Sequence, residues 1–229
     1  MLDEPQSAMH SDGSGKGISE TAMYRPLIFR EDRLDQLRGT IRSHPLATLV
    51  TYGAGGLTAN FIPFTLANEN GRDILRAHMA RANGQIADLL TSAEALVIFQ
   101  GPQAYITPSW YATKKEHEKV VPTWNYIVVQ VRGNPRIVED ANWLRAQIDA
   151  LTTLQEANRS APWSVNDAPA DYIDALLKNI VGFEIPIERI EGKWKVSQNQ
   201  PAINRAGVVA GLREIDPALP MATIIDQQE

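Results

Sequence analysis

Short apolar segments separated by turn residues run through residues 46–138, and this pattern constrains the fold more than any other feature. Each segment has the length of a β-strand, and Gly53, Gly55 and Gly56 suit a hairpin turn. The predicted strands are 46–52, 57–67, 73–79, 95–100, 103–107 and 125–138. Because short turns join antiparallel neighbours, the sequence predicts an antiparallel barrel or sandwich.

Prolines interrupt two of these predicted strands. Pro63 has no N–H for a sheet hydrogen bond, so it indicates an edge strand or a bulge. The run Gly133-Asn134-Pro135 similarly indicates a bulge or a bend.

Helical periodicity appears at 31–43 and 82–91 and then dominates the second half of the chain. Apolar residues from Trp143 to Leu154 predict a helix with Asp140 as its N-cap. A second helix from Tyr172 is predicted to end at Gly182, before a strand at 183–187 and a final helix near 201–213. The expected organisation is a disordered tail at 1–22, a core at 23–139, and an α+β extension at 140–229 packed on the same domain.

Composition narrows the possible functions. The 229 residues suit one large domain, and the absence of cysteine excludes disulfides, thiolate catalysis and cysteine-ligated metals. The net charge of −5 and the scattered cations disfavour direct DNA binding. We see neither an apolar run that could span a membrane nor an export signal, which leads us to expect a cytoplasmic protein.

The segment 96–126 concentrates large aromatic residues where loops usually avoid them. Trp110, Tyr111 and Trp124 stand there with Lys114. Such a set is typical of the wall of a pocket for a flat, partly anionic ligand. The alternative is a loop whose rings are simply buried against the core.

A second cluster surrounds His78 at a strand-to-helix junction, beside Arg76, Arg81 and Asn83. These residues could hold an anion, and the imidazole could serve as an axial ligand of haem iron. The alternative is a partly buried histidine bonded to the backbone.

The run 191–200, with Trp194 between two lysines, suits a ligand rim, a subunit contact or a surface turn. No motif identifies a catalytic acid, base or nucleophile, or a metal site other than His78 with haem.

Several longer segments resemble the PaiB-type proteins, a family described as FMN-binding negative transcriptional regulators. The segments are Met23-Tyr24 with Pro26, HPLATLVT at 44–51, HMARAN at 78–83, VIFQGPQAYITPSWY at 97–111, VPTWNY at 121–126, VGFEIPIERIEGKWKVSQN at 181–199 and GLRE at 211–214. They follow the family order over most of the chain.

The resemblance implies an antiparallel split β-barrel like that of pyridoxine-phosphate oxidase, mainly β with helices and with a helical C-terminal part. It also implies a homodimer with FMN at the subunit interface, and 23–139 as the FMN-binding core. The expected phosphate-binding residues are Arg76, Arg81, Thr107, Ser109 and Lys114. The expected ring-lining residues are Phe61, Ile62, Trp110 and Trp124, with His78 and Asn83 also in the cofactor site.

Two departures from the family pattern are visible. Phe61 stands where the family often has a histidine, so the chain has no imidazole at that position, and the milder change is Ala77 where a glycine is usual before His78. Piperazate synthases, which use haem to form an N–N bond, resemble the same family, so haem b held by His78 is the alternative to FMN. A repressor that binds DNA directly is a weaker alternative. If redox chemistry occurs, the flavin itself is expected to perform it.

Overall fold

The computed structural model describes residues 22–227, so the predicted tail at 1–22 lies outside the described residues except for Ala22. The strands are β1 Arg30–Glu31, β2 Leu46–Gly53, β3 Gly56–Pro63, β4 Thr65–Glu69, β5 Arg72–Ala80, β6 Ala95–Ile106, β7 Thr123–Gly133, β8 Arg136–Val138, β9 Ile180–Pro186 and β10 Arg189–Lys195. The α-helices are α1 Leu34–Ser43, α2 Gln85–Thr91, α3 Lys114–His117, α4 Ala141–Glu156, α5 Ala170–Leu177, α6 Ala202–Ile215 and α7 Pro220–Asp226. Short 3₁₀ helices span Leu27–Phe29, Pro108–Trp110 and Val165–Asp167.

The strands form two sheets in which the described pairs are antiparallel. One has six strands in the order β1-β10-β7-β6-β2-β3, and the other has four in the order β4-β5-β9-β8. Their facing sides share one hydrophobic core, in which Leu49, Val97, Val129 and Phe183 are buried. This arrangement confirms the predicted antiparallel split barrel.

The chain passes from the first sheet to the second at Phe64. The predicted strand 57–67 is therefore two strands, β3 and β4, in different sheets. Phe64 is buried between them, with its ring edge-on to Phe99 and Phe183 at centroid distances of 5.9 and 5.8 Å. Its N–H donates to the carbonyl of Pro45 at 2.8 Å, so Pro63 and Phe64 mark the point where pairing changes sheets.

A second crossing lies at Gly133, where the predicted bend is confirmed. The expected strand 125–138 divides into β7 and β8, again in different sheets. A Cβ on Gly133 would lie 2.0 Å from the carbonyl oxygen of Pro186, so the close approach of β9 requires glycine. The segments 95–100 and 103–107, by contrast, join into the single strand β6, with a register irregularity between Gln100 and Gln103.

The helix predictions are confirmed for α1, α2, α4 and α6, with small differences at their ends. Asp140 caps α4 as expected, since its carboxylate accepts a hydrogen bond from the N–H of Trp143 at 2.7 Å. The expected helix end at Gly182 is wrong, because α5 ends at Leu177 and Gly182 lies inside β9. Gly182 instead makes room for the Trp143 ring, 2.3 Å from where its Cβ would be.

The extension at 140–229 supplies more than helices. β9 lies between β5 and β8, and β10 lies between β1 and β7, so both sheets include strands from 180–195. The strand β10 and the helix α7 had no counterpart in the sequence prediction. The predicted division of the chain at 139 and 140 stays a prediction, although the barrel takes strands from both sides of it.

We predict that Gly182→Ala and Gly39→Ala change stability in opposite directions. The new methyl at 182 must displace the Trp143 ring, which costs about 1–3 kcal/mol. Gly39 lies in α1 with nothing within 4 Å of its added Cβ, so alanine there should stabilise by about 0.5–1 kcal/mol. Urea unfolding of both variants measures the difference, and equal effects would contradict the described contact between α4 and β9.

Candidate functional site

The six-stranded sheet has one side turned away from the core, which we call the outer face and define by Thr48, Phe61, Ile98 and Val128. Thr48 on β2 lies directly opposite both Phe61 on β3 and Ile98 on β6. Residues opposite each other across a sheet point to the same side, so these three side chains share one face. The intervening residues, such as Leu49 and Val97, fill the core.

The outer face is mostly apolar. No part of the described chain covers it fully, so much of this apolar surface is exposed to water. Phe61 is 73% exposed and Trp124 is 53% exposed. Leu46, Tyr52, Leu57 and Tyr105 of the same sheet are also exposed. Contiguous apolar surface of this kind on a soluble domain marks a binding surface for a partner or a ligand.

A groove of about 300 Å³ lies on this face, at the β6 irregularity. Its lining residues are Ile98, Gln100, Gln103, Trp124, Tyr126, Ile127 and Val128. The Trp124 ring stands edge-on to Tyr105 at a centroid distance of 5.8 Å. Flat aromatic walls with two side-chain amides suit a planar heterocycle, and the volume is at the lower end for small-molecule sites.

Two lysines of β10 border the groove. Lys193 lies opposite Val128 and places its amine 5.4 Å from the Tyr126 ring and 5.2 Å from the Tyr24 ring. Lys195 lies opposite Tyr126, and its amine donates a hydrogen bond to the hydroxyl of Thr123. The apolar surface therefore has a cationic side, as the sequence interpretation of a ligand rim at 191–200 allowed.

The predicted phosphate-binding arginines lie elsewhere, on and beside the second sheet. Arg76 of β5 is paired with Glu69 and with Glu184, the latter at 2.9 Å. Arg81 donates to Glu139 at 2.6 Å and to two backbone carbonyls. A phosphate would compete with these carboxylates for both guanidinium groups, more strongly at the part-buried Arg76–Glu184 pair than at the exposed Arg81–Glu139 pair.

Asn83, Thr107 and Ser109 make local contacts. The Asn83 carboxamide oxygen accepts from the N–H of Gln85 at 3.0 Å, at the start of α2. The Thr107 hydroxyl accepts from the N–H of Ser109 at 3.3 Å, at the start of a 3₁₀ turn. These contacts stabilise the start of α2 and the 3₁₀ turn after β6.

Trp110 is partly buried against α6, and Ile62 is buried in the core. A Cβ on Gly211 of α6 would lie 2.3 Å from the Trp110 indole, and one on Gly207 would lie 2.1 Å from the Trp110 carbonyl oxygen. Lys114, in contrast, is exposed on α3. Of the predicted ring-lining residues, the structure thus places Phe61 and Trp124 on the outer face.

His78 lies on β5 opposite Gly182, on the four-stranded sheet. Its Nδ1 is buried and makes no hydrogen bond to the described residues, which differs from the backbone-bonded histidine considered above. Burial lowers the pKa of the imidazole below its usual value and favours the neutral ring. No strand residue of the six-stranded sheet is a histidine, so the described outer face offers no imidazole to haem iron.

Sequence reasoning missed the breadth of the outer face, including Tyr105, Tyr126 and Ile98. The available signal was the apolar character of both sides of β2 and β6, since strands buried on one side normally alternate with polar residues. Among the described residues, no three histidine, aspartate or glutamate side chains are placed to hold a metal ion, and none of the helices is long and apolar enough to cross a membrane.

Comparison of the sequence and the fold with known proteins identifies the family of this chain. Residues 23–189 match the family model described as "Putative FMN-binding domain". The chain belongs to this flavin-binding split-barrel family. It is 35% identical to an uncharacterized protein of Emericella nidulans, over 84% of this chain and 91% of that protein. It is 28% identical to the protease synthase and sporulation protein PAI 2 of Bacillus subtilis, over 90% of this chain and 98% of that protein.

A solved structure supports the fold. The FAD and haem binding protein from Mycobacterium smegmatis superposes with a TM-score of 0.54 at 17% identity, covering 72% of this chain and 73% of that one. At this identity, the similarity shows a shared architecture.

We predict that His78 makes this protein less stable in acid. Its folded pKa lies below the unfolded value of about 6.5, so the unfolded state binds the proton first as the pH falls. Stability is therefore full above that pH and declines below it, by up to about 1.4 kcal/mol per pH unit from this residue. His78→Gln should flatten the slope in urea unfolding between pH 7.5 and 5, relative to wild type.

His117→Gln provides the control, because it removes one histidine from an exposed position. This variant should keep the wild-type slope. If His78→Gln also keeps it, the burial of His78 does not destabilise its charged form.

Proposed function

We propose that this protein is a homodimeric FMN-binding protein in which the outer face carries the flavin and meets a second copy of the chain. The exposed apolar face of the six-stranded sheet, with Phe61, Trp124 and the groove beside Tyr126, is the observation that supports this proposal. The family match supports a flavin, and the chemistry of the groove suits an isoalloxazine ring.

The groove fits one side of a planar ring. Tyr126 and Trp124 provide aromatic surface, while Gln100 and Gln103 provide amide donors and acceptors for ring heteroatoms. Bound flavin would supply hydride or electron transfer, and the protein residues would orient the ring and exclude water from it. We propose a redox role on this basis.

The dimer follows from the shape of the site. The groove is open, so a single chain covers one side of a ring and leaves the other in water. A second copy of the outer face would bury both the ring and the exposed residues Phe61 and Leu57. A self-complementary contact of two such faces is the usual form of a twofold dimer.

A regulatory effect, if the protein has one, is proposed to be indirect. Arginines are the residues best suited to DNA phosphates, and most of those described are paired with carboxylates: Arg25, Arg30, Arg33, Arg38, Arg76, Arg81, Arg132, Arg159, Arg189 and Arg213. With the net charge of −5, this pairing leaves a poor surface for a duplex. The protein would then act through the product of its flavin chemistry.

We predict that Phe61→Glu weakens both dimerisation and FMN binding. A carboxylate placed in an apolar interface costs about 3 kcal/mol or more, roughly a hundredfold in Kd. Sedimentation velocity measures the dimer, and flavin fluorescence quenching measures FMN binding.

The absorption spectrum of freshly purified protein distinguishes the two candidate cofactors, since a flavin gives visible flavin bands and haem gives a Soret band.

Tyr172→Glu is the matched control, because Tyr172 is an aromatic residue that is 56% exposed on α5, outside the six-stranded sheet. It should leave both measurements unchanged. A Phe61→Glu protein that remains dimeric and binds FMN normally would show that the outer face has neither role. A Soret band without flavin bands would favour the haem alternative.

A further inference from the structure

Two cavities lie side by side next to the loop that precedes β7. One, of about 130 Å³, is lined by Tyr111, Val121, Thr123, Asn125, Lys195, Ser197, Asn199 and Gln200. The other, of about 280 Å³, is lined by Tyr111, Thr113, His117, Lys119, Val120, Val121, Gln200, Pro201 and Asn204. Tyr111, Val121 and Gln200 line both, so the two cavities are adjacent and make up one region of the surface.

The charged residues that line this region carry one sign. They are Lys195 in the smaller cavity and Lys119 in the larger one, and none of the described lining residues is an aspartate or glutamate. His117 in the larger cavity accepts a hydrogen bond from the N–H of Lys119 through its Nδ1 at 3.0 Å. Glu116 and Glu118 flank His117 in the sequence but are exposed and line neither cavity. In a chain with a net charge of −5, a lining of lysines, hydroxyls and amides favours an anion.

The smaller cavity has a rigid wall at the turn that follows β10. Ser197 adopts φ = 65°, a left-handed conformation that non-glycine residues seldom take. Gln198 braces the turn, since its side chain accepts from the N–H of Val196 at 2.7 Å and donates to the carbonyl of Trp194 at 2.6 Å. Backbone strain of this kind persists where surrounding contacts enforce it and is concentrated at functional sites.

Buried hydrogen bonds fix the other walls. Asn125 donates to the hydroxyl of Ser197 at 2.7 Å, and both residues are buried. Asn204 of α6 donates to the hydroxyl of Thr113 at 3.0 Å and accepts from its N–H at 3.2 Å, which ties the loop to the helix. The cavity walls are therefore organised before any ligand arrives, which lowers the entropic cost of binding.

Lys195 joins this region to the outer face. In the sheet it lies opposite Tyr126, which lines the groove, while its amine bonds to the Thr123 hydroxyl at the smaller cavity. A ligand with a flat ring in the groove and an anionic group near Lys195 would contact both surfaces. This arrangement differs from the sequence expectation, which assigned the phosphate to Arg76, Arg81, Thr107, Ser109 and Lys114.

We propose that the cavity beside Lys195 is a binding site for a small oxyanion, with Lys195 and Thr123 as its recognition residues. Its volume of about 130 Å³ exceeds the roughly 30 Å³ that one water occupies in the liquid, so it has room for such a group. The oxyanion has two sources, the phosphate of FMN or a separate carboxylate or phosphate compound. The first source rests on the proposed flavin function, and the second does not.

The first experiment uses inorganic phosphate as the probe and the full chain as the protein. Isothermal titration calorimetry of the flavin-free protein should detect phosphate binding, and Lys195→Met should weaken it about tenfold or more because a charge-assisted hydrogen bond is lost. Thr123→Val should weaken it less, since the lysine charge remains. Lys115→Met is the matched control, a lysine exposed on α3 that lines neither cavity, and it should bind as wild type.

The second experiment compares FMN with riboflavin, which lacks the phosphate. If the cavity takes the flavin phosphate, wild type binds FMN more tightly than riboflavin, and Lys195→Met removes most of that preference while Lys115→Met retains it. Equal binding of the two flavins together with Lys195-dependent phosphate binding identifies a separate compound as the source.

The proposal is overturned if neither phosphate binding nor the preference for FMN depends on Lys195. It is also overturned if wild type binds no phosphate and does not distinguish the two flavins. A protein that binds neither flavin argues against the proposed function, whereas the phosphate titration still decides whether the oxyanion site exists. Circular dichroism of each variant confirms that its fold is retained before the affinities are compared.

Discussion

The structure depends on a six-stranded sheet that is apolar on both sides. The rest of the described chain covers one side of this sheet and leaves the other largely exposed. The inner side, with Leu49 and Val129, packs against the second sheet, and burial of such side chains is the main favourable term in folding. The outer side exposes Phe61 and Trp124. Contiguous apolar surface of this kind marks a binding surface, and the proposed flavin and the proposed second subunit would both cover it.

Two sharp changes of direction make this sheet possible. At Pro63 and Phe64, and again at Gly133, the chain leaves one sheet and enters the other, so each half of the barrel is tied to the other by covalent crossings. Phe64 secures the first crossing by packing edge-on to Phe99 and Phe183. The bend at Gly133 brings β9 within a distance that leaves no room for a side chain. These contacts fix the position of β6 and β7, which carry the groove.

Local patterns were enough to predict most of the strands, the main helices and the bend at Gly133, because alternation, turn residues and caps act over a few positions. They did not predict β10, or the change of sheet at Phe64 inside the expected strand 57–67. The residues of the candidate site were harder to predict than the strands and helices. Trp124 could be found as an aromatic residue in a predicted loop, and Phe61 through the family resemblance, but the pairing of Arg76 with Glu184 joins residues 108 positions apart. No local pattern reveals such a pair, so the sequence interpretation treated Arg76 and Arg81 as available cations. Likewise, Gly182 was expected to end a helix, although its role is to accept the ring of Trp143.

The lysines of β10 differ from most of the described arginines in that they are not paired with carboxylates of the described residues, which leaves their charge available to a ligand. Arginine forms bidentate pairs readily and is largely engaged by carboxylates here, for example Arg81 with Glu139. Lys195 bonds to the neutral hydroxyl of Thr123, so its charge is not cancelled by that contact. A ligand oxyanion can then approach the amine without displacing a carboxylate, which would cost the protein an existing ion pair. This difference in what each cation already contacts supports the proposal that the anionic end of a ligand lies near β10 rather than near β5.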